Sequence, residues 1–232
     1  MGLVTEGPPT PRNILLTVAY QGTRYSGWQI QPRDSTVQGE IQARLIQMTE
    51  HDLRLRAAGR TDAGVHAHGQ VANFRTTSTI PLRGFLRGLN TKLPQDIGIR
   101  RVEEVSLAFD ARRHNTGKRY RYTLYNERPS SPVHAPNSWH VRRPLDLAAM
   151  ARAGAHLCGR HHFDAFRSAR CDRDNTLRTL YRCSVSRMDP LVHIEVEGSA
   201  FLRNMVRVIA GTLVDVGRGR RDPDSVAEVL AG

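Results

Sequence analysis

Cysteine is scarce: Cys158, Cys171 and Cys183 are the only three in 232 residues. Their odd number and the lack of a CxxC spacing argue against a disulfide framework and point to a reducing compartment. No apolar run approaches the length of a membrane span, and the N-terminus has no apolar signal core, so a soluble, cytoplasmic protein is expected. Met1-Gly2 opens like a myristoylation signal, but Glu6 stands where Ser or Thr is required. Acidic residues are also in deficit, at 22 against 34 Lys and Arg, a net charge of +12. The excess is almost all arginine, whose planar fork suits bidentate phosphate contacts, so a polyanionic partner is expected. A generally arginine-rich composition is the plainer reading of the same number.

At 39% hydrophobic, the chain can build one large domain or two small ones. Residues 1–12, with Pro8, Pro9 and Pro11, read as a loose tail. Asn13 to Tyr20 is a strand candidate that runs into the turn Gln21-Gly22-Thr23 and the aromatic loop Tyr25-Ser26-Gly27-Trp28-Gln29. Thr36 is placed to cap a helix with Val37, Ile41, Leu45, Ile46 and Met48 as its apolar stripe. Strands are expected over Leu53 to Ala58 and about Val65 to Phe74, then a helix from Pro81 to Asn90 and a strand from Ile97 to Val105. The order strand-helix-strand-strand-helix-strand is the split βαβ pattern of ferredoxin-like domains. It bounds a first half at 13–107.

The second half, 108–232, reads as a rough echo of the first. Lys118 to Tyr125 alternates, with Tyr120, Tyr122 and Leu124 on one face, and Asp146 caps a helix through Leu157. A loop is expected at His161-His162-Phe163. Strands follow at Leu177 to Met188 and Leu191 to Gly198, joined at Asp189-Pro190. A helix with Leu202, Met205, Val206, Ile209 and Leu213 on one face ends by Gly217, and a short helix covers Pro223 to Leu230. No final strand follows the last helix.

Ala58 to Ala67 (AGRTDAGVHA) lies between two strand candidates and is the stretch most suited to chemistry. Its glycines allow a sharp turn or a close approach. Arg60 and Asp62 can project into a cleft as phosphate ligand or partner and as carboxylate nucleophile or base. The alternative is a tight turn in which Asp62 bonds its own backbone. Elsewhere, Arg112, Arg113, Arg119 and Arg121 are candidate phosphate ligands or simply solvated charges. His66 with His68, and His161 with His162, raise the thought of a metal, but no third ligand has a clear spacing, so no metal is expected.

Six separated motifs resemble the tRNA pseudouridine synthase A family over about residues 13–217. They are Tyr20-Gln21-Gly22-Thr23 with Gly27-Trp28-Gln29 and Thr36-Val37-Gln38-Gly39; Gly59 to Ala67; Leu89-Asn90 with Leu93-Pro94 and Asp96-Ile97; Lys118 to Tyr122; Arg178-Thr179-Leu180; and Phe201-Leu202 with Met205-Val206-Arg207. The resemblance implies an α+β pseudouridine synthase fold, two ferredoxin-like halves around a central basic cleft. It implies Asp62 as the catalytic aspartate that starts scission of the uridine glycosidic bond, by attack on C1′, addition to C6 or elimination to a glycal. Arg60 would hold the flipped nucleotide, Tyr120 would stack on the target base, and Arg207 would keep Asp62 ionised and oriented.

The implied substrate is tRNA at uridines 38, 39 and 40 of the anticodon stem-loop. The implied state is a homodimer, and no cofactor is implied. The family continues past the end seen here with a further strand, so the resemblance also implies that a C-terminal strand is missing. Two rival functions follow from the same residues. One is a non-catalytic tRNA-binding or chaperone-like protein that lost turnover with that strand; the other is a metal-dependent hydrolase using the histidines.

Overall fold

The computed structural model describes residues 10–168 and 174–231, so Pro8, Pro9 and Cys171 lie outside the described residues. The chain divides into two compact units at Asn115/Thr116. Both mix helices and strands, the α+β class. No described helix is long and apolar enough to cross a membrane.

In the first unit, β1 (Arg12–Tyr20), α1 (Val37–Thr49), β2 (Arg56–Ala57), β3 (Ala67–Thr76), α2 (Leu82–Lys92) and β4 (Ile97–Val105) follow in chain order. The sheet order is β2-β3-β1-β4 and every pairing is antiparallel. Strand alternation sends Ile14, Leu16, Val18 and Tyr20 into a core with Val37, Ile41 and Leu45 of α1 and Phe85 and Leu89 of α2. Helix α1 starts where Thr36 accepts the amide of Gly39, and ends at Glu50 in the left-handed region.

Two expectations change here. Only Arg56 and Ala57 of the expected Leu53–Ala58 strand pair with β3. Side chains of α1 take the main chain of Leu55 instead: its amide donates to Gln42 Oε1 (3.1 Å) and its carbonyl accepts from Gln38 Nε2 (2.8 Å). The boundary also lies beyond 107. Buried Asn13 donates to the carbonyls of Ser106 (2.8 Å) and Phe109 (2.9 Å). Buried Asn73 donates to Asn13 Oδ1 and accepts the amide of Ala111, both at 2.9 Å. Two side-chain amides thus fasten residues 106–111 to the first sheet.

In the second unit, β5 (Lys118–Tyr125), β6 (Trp139–His140), α3 (Leu147–His156), β7 (Gly159–His162), β8 (Leu177–Met188), β9 (Leu191–Gly198), α4 (Met205–Gly217) and α5 (Ser225–Ala231) give the sheet order β6-β5-β9-β8-β7. Val192, Ile194 and Val196 of β9 face Met150 and Ala153 of α3 and Met205, Ile209 and Leu213 of α4 in one core. This unit is not an echo of the first. The tight connection after β8 returns β9 directly between β8 and β5, so β7, β8 and β9 form a meander with no helix between β8 and β9. His161 and His162, expected in a loop, belong to β7 and pair with Arg178 and Leu177. Neither residue has the apolar, branched character that signals a strand, so the pairing is supplied by β8. Among the described residues no strand follows α4.

Asn73→Ala should lower the unfolding free energy by about 2–4 kcal/mol, because it leaves a buried amide and a buried carbonyl oxygen unpaired. Urea unfolding of the purified variant measures this directly.

Candidate active site

Asp62 lies on the loop that joins β2 to β3, and a second loop, Gly22 to Trp28, supports it. Gly22, Thr23 and Arg24 form one 3-10 turn directly after β1. A side chain on Gly22 would overlap the carbonyl oxygen of Val65, and a Cβ on Gly27, whose φ is +91°, would lie 2.6 Å from the carbonyl oxygen of Thr61. Only glycine lets the two backbones meet this closely. The contact is bonded throughout: Trp28 N–H donates to Thr61 O (3.1 Å), Gly64 N–H to Tyr25 O (3.4 Å), and Gly22 N–H to His66 Nδ1 (3.1 Å).

Side chains extend the lock. Tyr20 and Thr61 share a hydroxyl–hydroxyl bond of 2.8 Å, and Gln70 Nε2 donates to Gly59 O at 2.8 Å. Trp28, with 1% of its surface exposed, packs 5.8 Å from the Tyr20 ring and is core rather than a platform for bases. Gln38 N–H bonds Trp28 O and Val37 N–H bonds Gly27 O, so the start of α1 fixes the far side of the Gly22–Trp28 loop. Asp96, just before β4, fixes its base: Oδ1 accepts from Tyr25 Oη (2.6 Å) and its main-chain oxygen accepts from Gln21 N–H (2.9 Å). Burial, then the bond to Asp96, pushes the Tyr25 phenol far above its ordinary value, so it stays a donor.

Within its own unit, the Asp62 carboxylate is bonded to no side chain or amide; only its main-chain carbonyl takes part in the turn, from Val65 N–H (3.2 Å). The tight-turn reading, in which the carboxylate bonds its own backbone, therefore fails. Asp62 and Arg60 are both exposed at the tip of a loop whose stem is rigid.

Tyr120 and Arg207 belong to the second unit. Tyr120 pairs with Val196 in β5, half-buried, with its ring edge-on to Phe201 at 5.0 Å. Arg207 is exposed in the first turn of α4, an end of the helix where the dipole favours an anion over a cation. Arg119 and Arg121, on the opposite face of β5 from Tyr120, carry cross-strand ion pairs with Glu197 (3.1 Å) and Glu195 (2.8 Å). Among the described residues no three His, Cys, Asp or Glu gather as a metal site, and His161 Nε2 is spent on the carbonyl of Cys158 (2.9 Å). Cys158 and Cys183 are free, and burial pushes the Cys183 thiol up to about 12.

The sequence profile of tRNA pseudouridine synthases matches residues 16–112 and 153–232. The chain belongs to the tRNA pseudouridine synthase family. The tRNA pseudouridine synthase A of Geotalea daltonii is 48% identical over 221 residues, spanning 95% of this chain and 91% of the relative. That of Geobacter sulfurreducens is 46% identical over 219 residues (94% and 90%), and that of Brevibacillus brevis 44% over 220 residues (95% and 90%). Asp62 and its supporting loops lie inside the first matched stretch and Arg207 inside the second. Reading the sequence alone assigned no role to Tyr20, Thr61, His66 or Asp96. Their signal was present, since each sits in one of the family-like motifs, but their partners lie in other motifs.

Gly22→Ala and Gly27→Ala should each cost about 2 kcal/mol or more, because the loops must separate to admit a methyl group or accept backbone strain. Thermal unfolding and urea midpoints of the two variants test this. His66 adds a pH dependence. Burial, and then the neighbouring His68, lower its pKa from the ordinary 6.5. The folded protein therefore binds fewer protons here than the unfolded chain, and the His66 contribution is full above the ordinary value and is lost as pH falls through the folded one. The stability lost between about pH 7.5 and about pH 5 should be smaller in His66→Asn than in wild type, as read by urea unfolding at both pH values.

Proposed function

We propose that this chain converts uridine to pseudouridine in the anticodon stem-loop of tRNA, at positions 38, 39 and 40, with Asp62 as the catalytic carboxylate. The observation that carries the reading is a carboxylate left unbonded in its own unit on a loop whose flanks are locked by backbone contacts. A turn residue has no need of such support, whereas a group that must meet a reacting atom does.

The chemistry asks for little else. The N1–C1′ bond of uridine breaks, the base turns, C5–C1′ forms, C5 gives up its proton and N1 takes one. Atoms and electrons balance without a redox partner, which agrees with a reading that needs no cofactor. The base must be held while detached, and a half-buried tyrosine ring braced by Phe201 suits stacking on it, the role assigned to Tyr120. Arg60, beside Asp62 and exposed, is assigned to the phosphate or ribose of the extruded nucleotide. Arg207, exposed in the first turn of α4, is assigned the positive charge that keeps the aspartate ionised once RNA excludes water. The net charge of +12 fits backbone-directed binding of a folded RNA. The first unit is read as a ferredoxin-like half, on its sheet order and all-antiparallel pairing. The same reading carries a homodimeric, cytoplasmic enzyme with a basic cleft.

Tritium release from [5-³H]uridine-labelled tRNA is the test. Wild type should release label, and Asp62→Ala should release none while still binding tRNA. Wild-type release by Asp62→Ala would remove the carboxylate from the mechanism, and binding without release by wild type would mean a binding protein only. Tyr120→Phe should be the milder of the two Tyr120 variants and Tyr120→Ala the more severe, since base–aromatic stacking is worth about 1–3 kcal/mol. Equal loss in both would assign the work to the hydroxyl.

A further inference from the structure

The two arms of the Asp62 loop are held by different means. The upstream arm is fixed to the core: Gly59 O by Gln70, Thr61 O by the Trp28 amide, and the Thr61 hydroxyl by Tyr20. The downstream arm contains Gly64 at φ +76°, and a Cβ placed there would meet nothing within 4 Å. Its main chain is held by the Gly64 N–H bond to Tyr25 O and by the Val65 carbonyl resting against Gly22, with open space on the outer side of Gly64. The side chain that ties this arm back to the Gly22 turn is His66, through Nδ1.

We propose that His66 is a positioning residue for Asp62, holding the downstream arm of the loop by accepting the Gly22 amide hydrogen on Nδ1. A backbone N–H can only donate, so Nδ1 carries no proton and the ring hydrogen is on Nε2. The ring as a whole is exposed, so the role belongs to one atom rather than to the bulk of the side chain. Gly22 is itself immobile, because its Cα is pressed against the Val65 carbonyl with no room for a side chain. The bond therefore joins a close-packed turn to a loop arm whose Gly64 has open space on its outer side. Losing it leaves the downstream arm to the Gly64–Tyr25 bond and the Val65–Gly22 contact alone, which loosens the placement of Asp62. This inference rests on the reading of Asp62 as the catalytic group.

The atom-specific form of the proposal gives an atom-specific test. Asparagine puts Oδ1 close to where histidine has Nδ1, and glutamine puts its oxygen close to where histidine has Nε2. His66→Asn should therefore keep kcat within about threefold of wild type, while His66→Gln and His66→Ala lose about 100-fold, each with KM for tRNA nearly unchanged. Single-turnover tritium release at saturating enzyme gives the rate, tRNA titration gives the binding-competent fraction, and thermal unfolding confirms the fold. Equal rates for Asn and Gln, or a wild-type rate for Ala, would overturn the proposal. If the Ala variant does not fold, the Asn and Gln pair decides alone. The Asp62→Ala control separates the two readings. Release by that variant sinks the catalytic assignment, whereas an inert Asp62→Ala beside a fully active His66→Gln sinks only the His66 role.

Discussion

The structure of the first unit depends on a contact between two backbones. The Gly22–Trp28 loop and the Asp62 loop approach so closely that a methyl group at Gly22 or Gly27 has no place. Packing of side chains could not fix a loop tip this well, because side chains retain rotamer freedom and loops expose few of them. Main-chain contact removes that freedom. Two of the main-chain pairs brought together, Trp28 N–H with Thr61 O and Gly64 N–H with Tyr25 O, also satisfy one another.

Everything around this contact serves to hold it. Helix α1 takes the carbonyls of Gly27 and Trp28, Tyr20 reaches Thr61 from the last residue of β1, and Asp96 holds Tyr25 and Gln21 from the threshold of β4. The start of α1, the end of β1 and the residue before β4 thus each reach one of the two loops. Rigidity of this kind is what a carboxylate needs if it is to meet a reacting carbon, since a misplacement of about 1 Å can cost about 100-fold in rate. The second unit works differently: its sheet holds Tyr120 on the core-facing side and pairs Arg119 and Arg121 with glutamates on the other. One strand thereby carries aromatic rings on one face and paired charges on the other.

Much of the first unit could be read without coordinates. The alternation in β1 and β4, the Thr36 cap and the stripe of α1 are local patterns, and the observed elements follow them to within a residue or two. The same holds for β5, β8 and β9. The strand at Leu53 to Ala58 shrank because glutamines of α1 outbid the sheet for the Leu55 main chain, a competition invisible to periodicity. The meander in the second unit replaced an expected echo for a similar reason: a sequence states where strands are, but pairing order is a choice among distant partners. Arg119 and Arg121 read as phosphate ligands or solvated charges in the sequence, and only the register shows that Glu197 and Glu195 stand opposite them.

By itself, the sequence determined the charge excess, the class of local elements and the loop that bears Asp62, because these depend on composition and on neighbours a few residues apart. Tertiary structure alone decided that the Asp62 carboxylate is not spent on its own turn, that Trp28 is core, and that His66 faces Gly22. The bonds responsible join residues far apart in the chain, as in the 71 positions between Tyr25 and Asp96 or the 44 between Gly22 and His66. Such contacts form only when the sheet order and the approach of the loops are already set, and no short-range pattern encodes them.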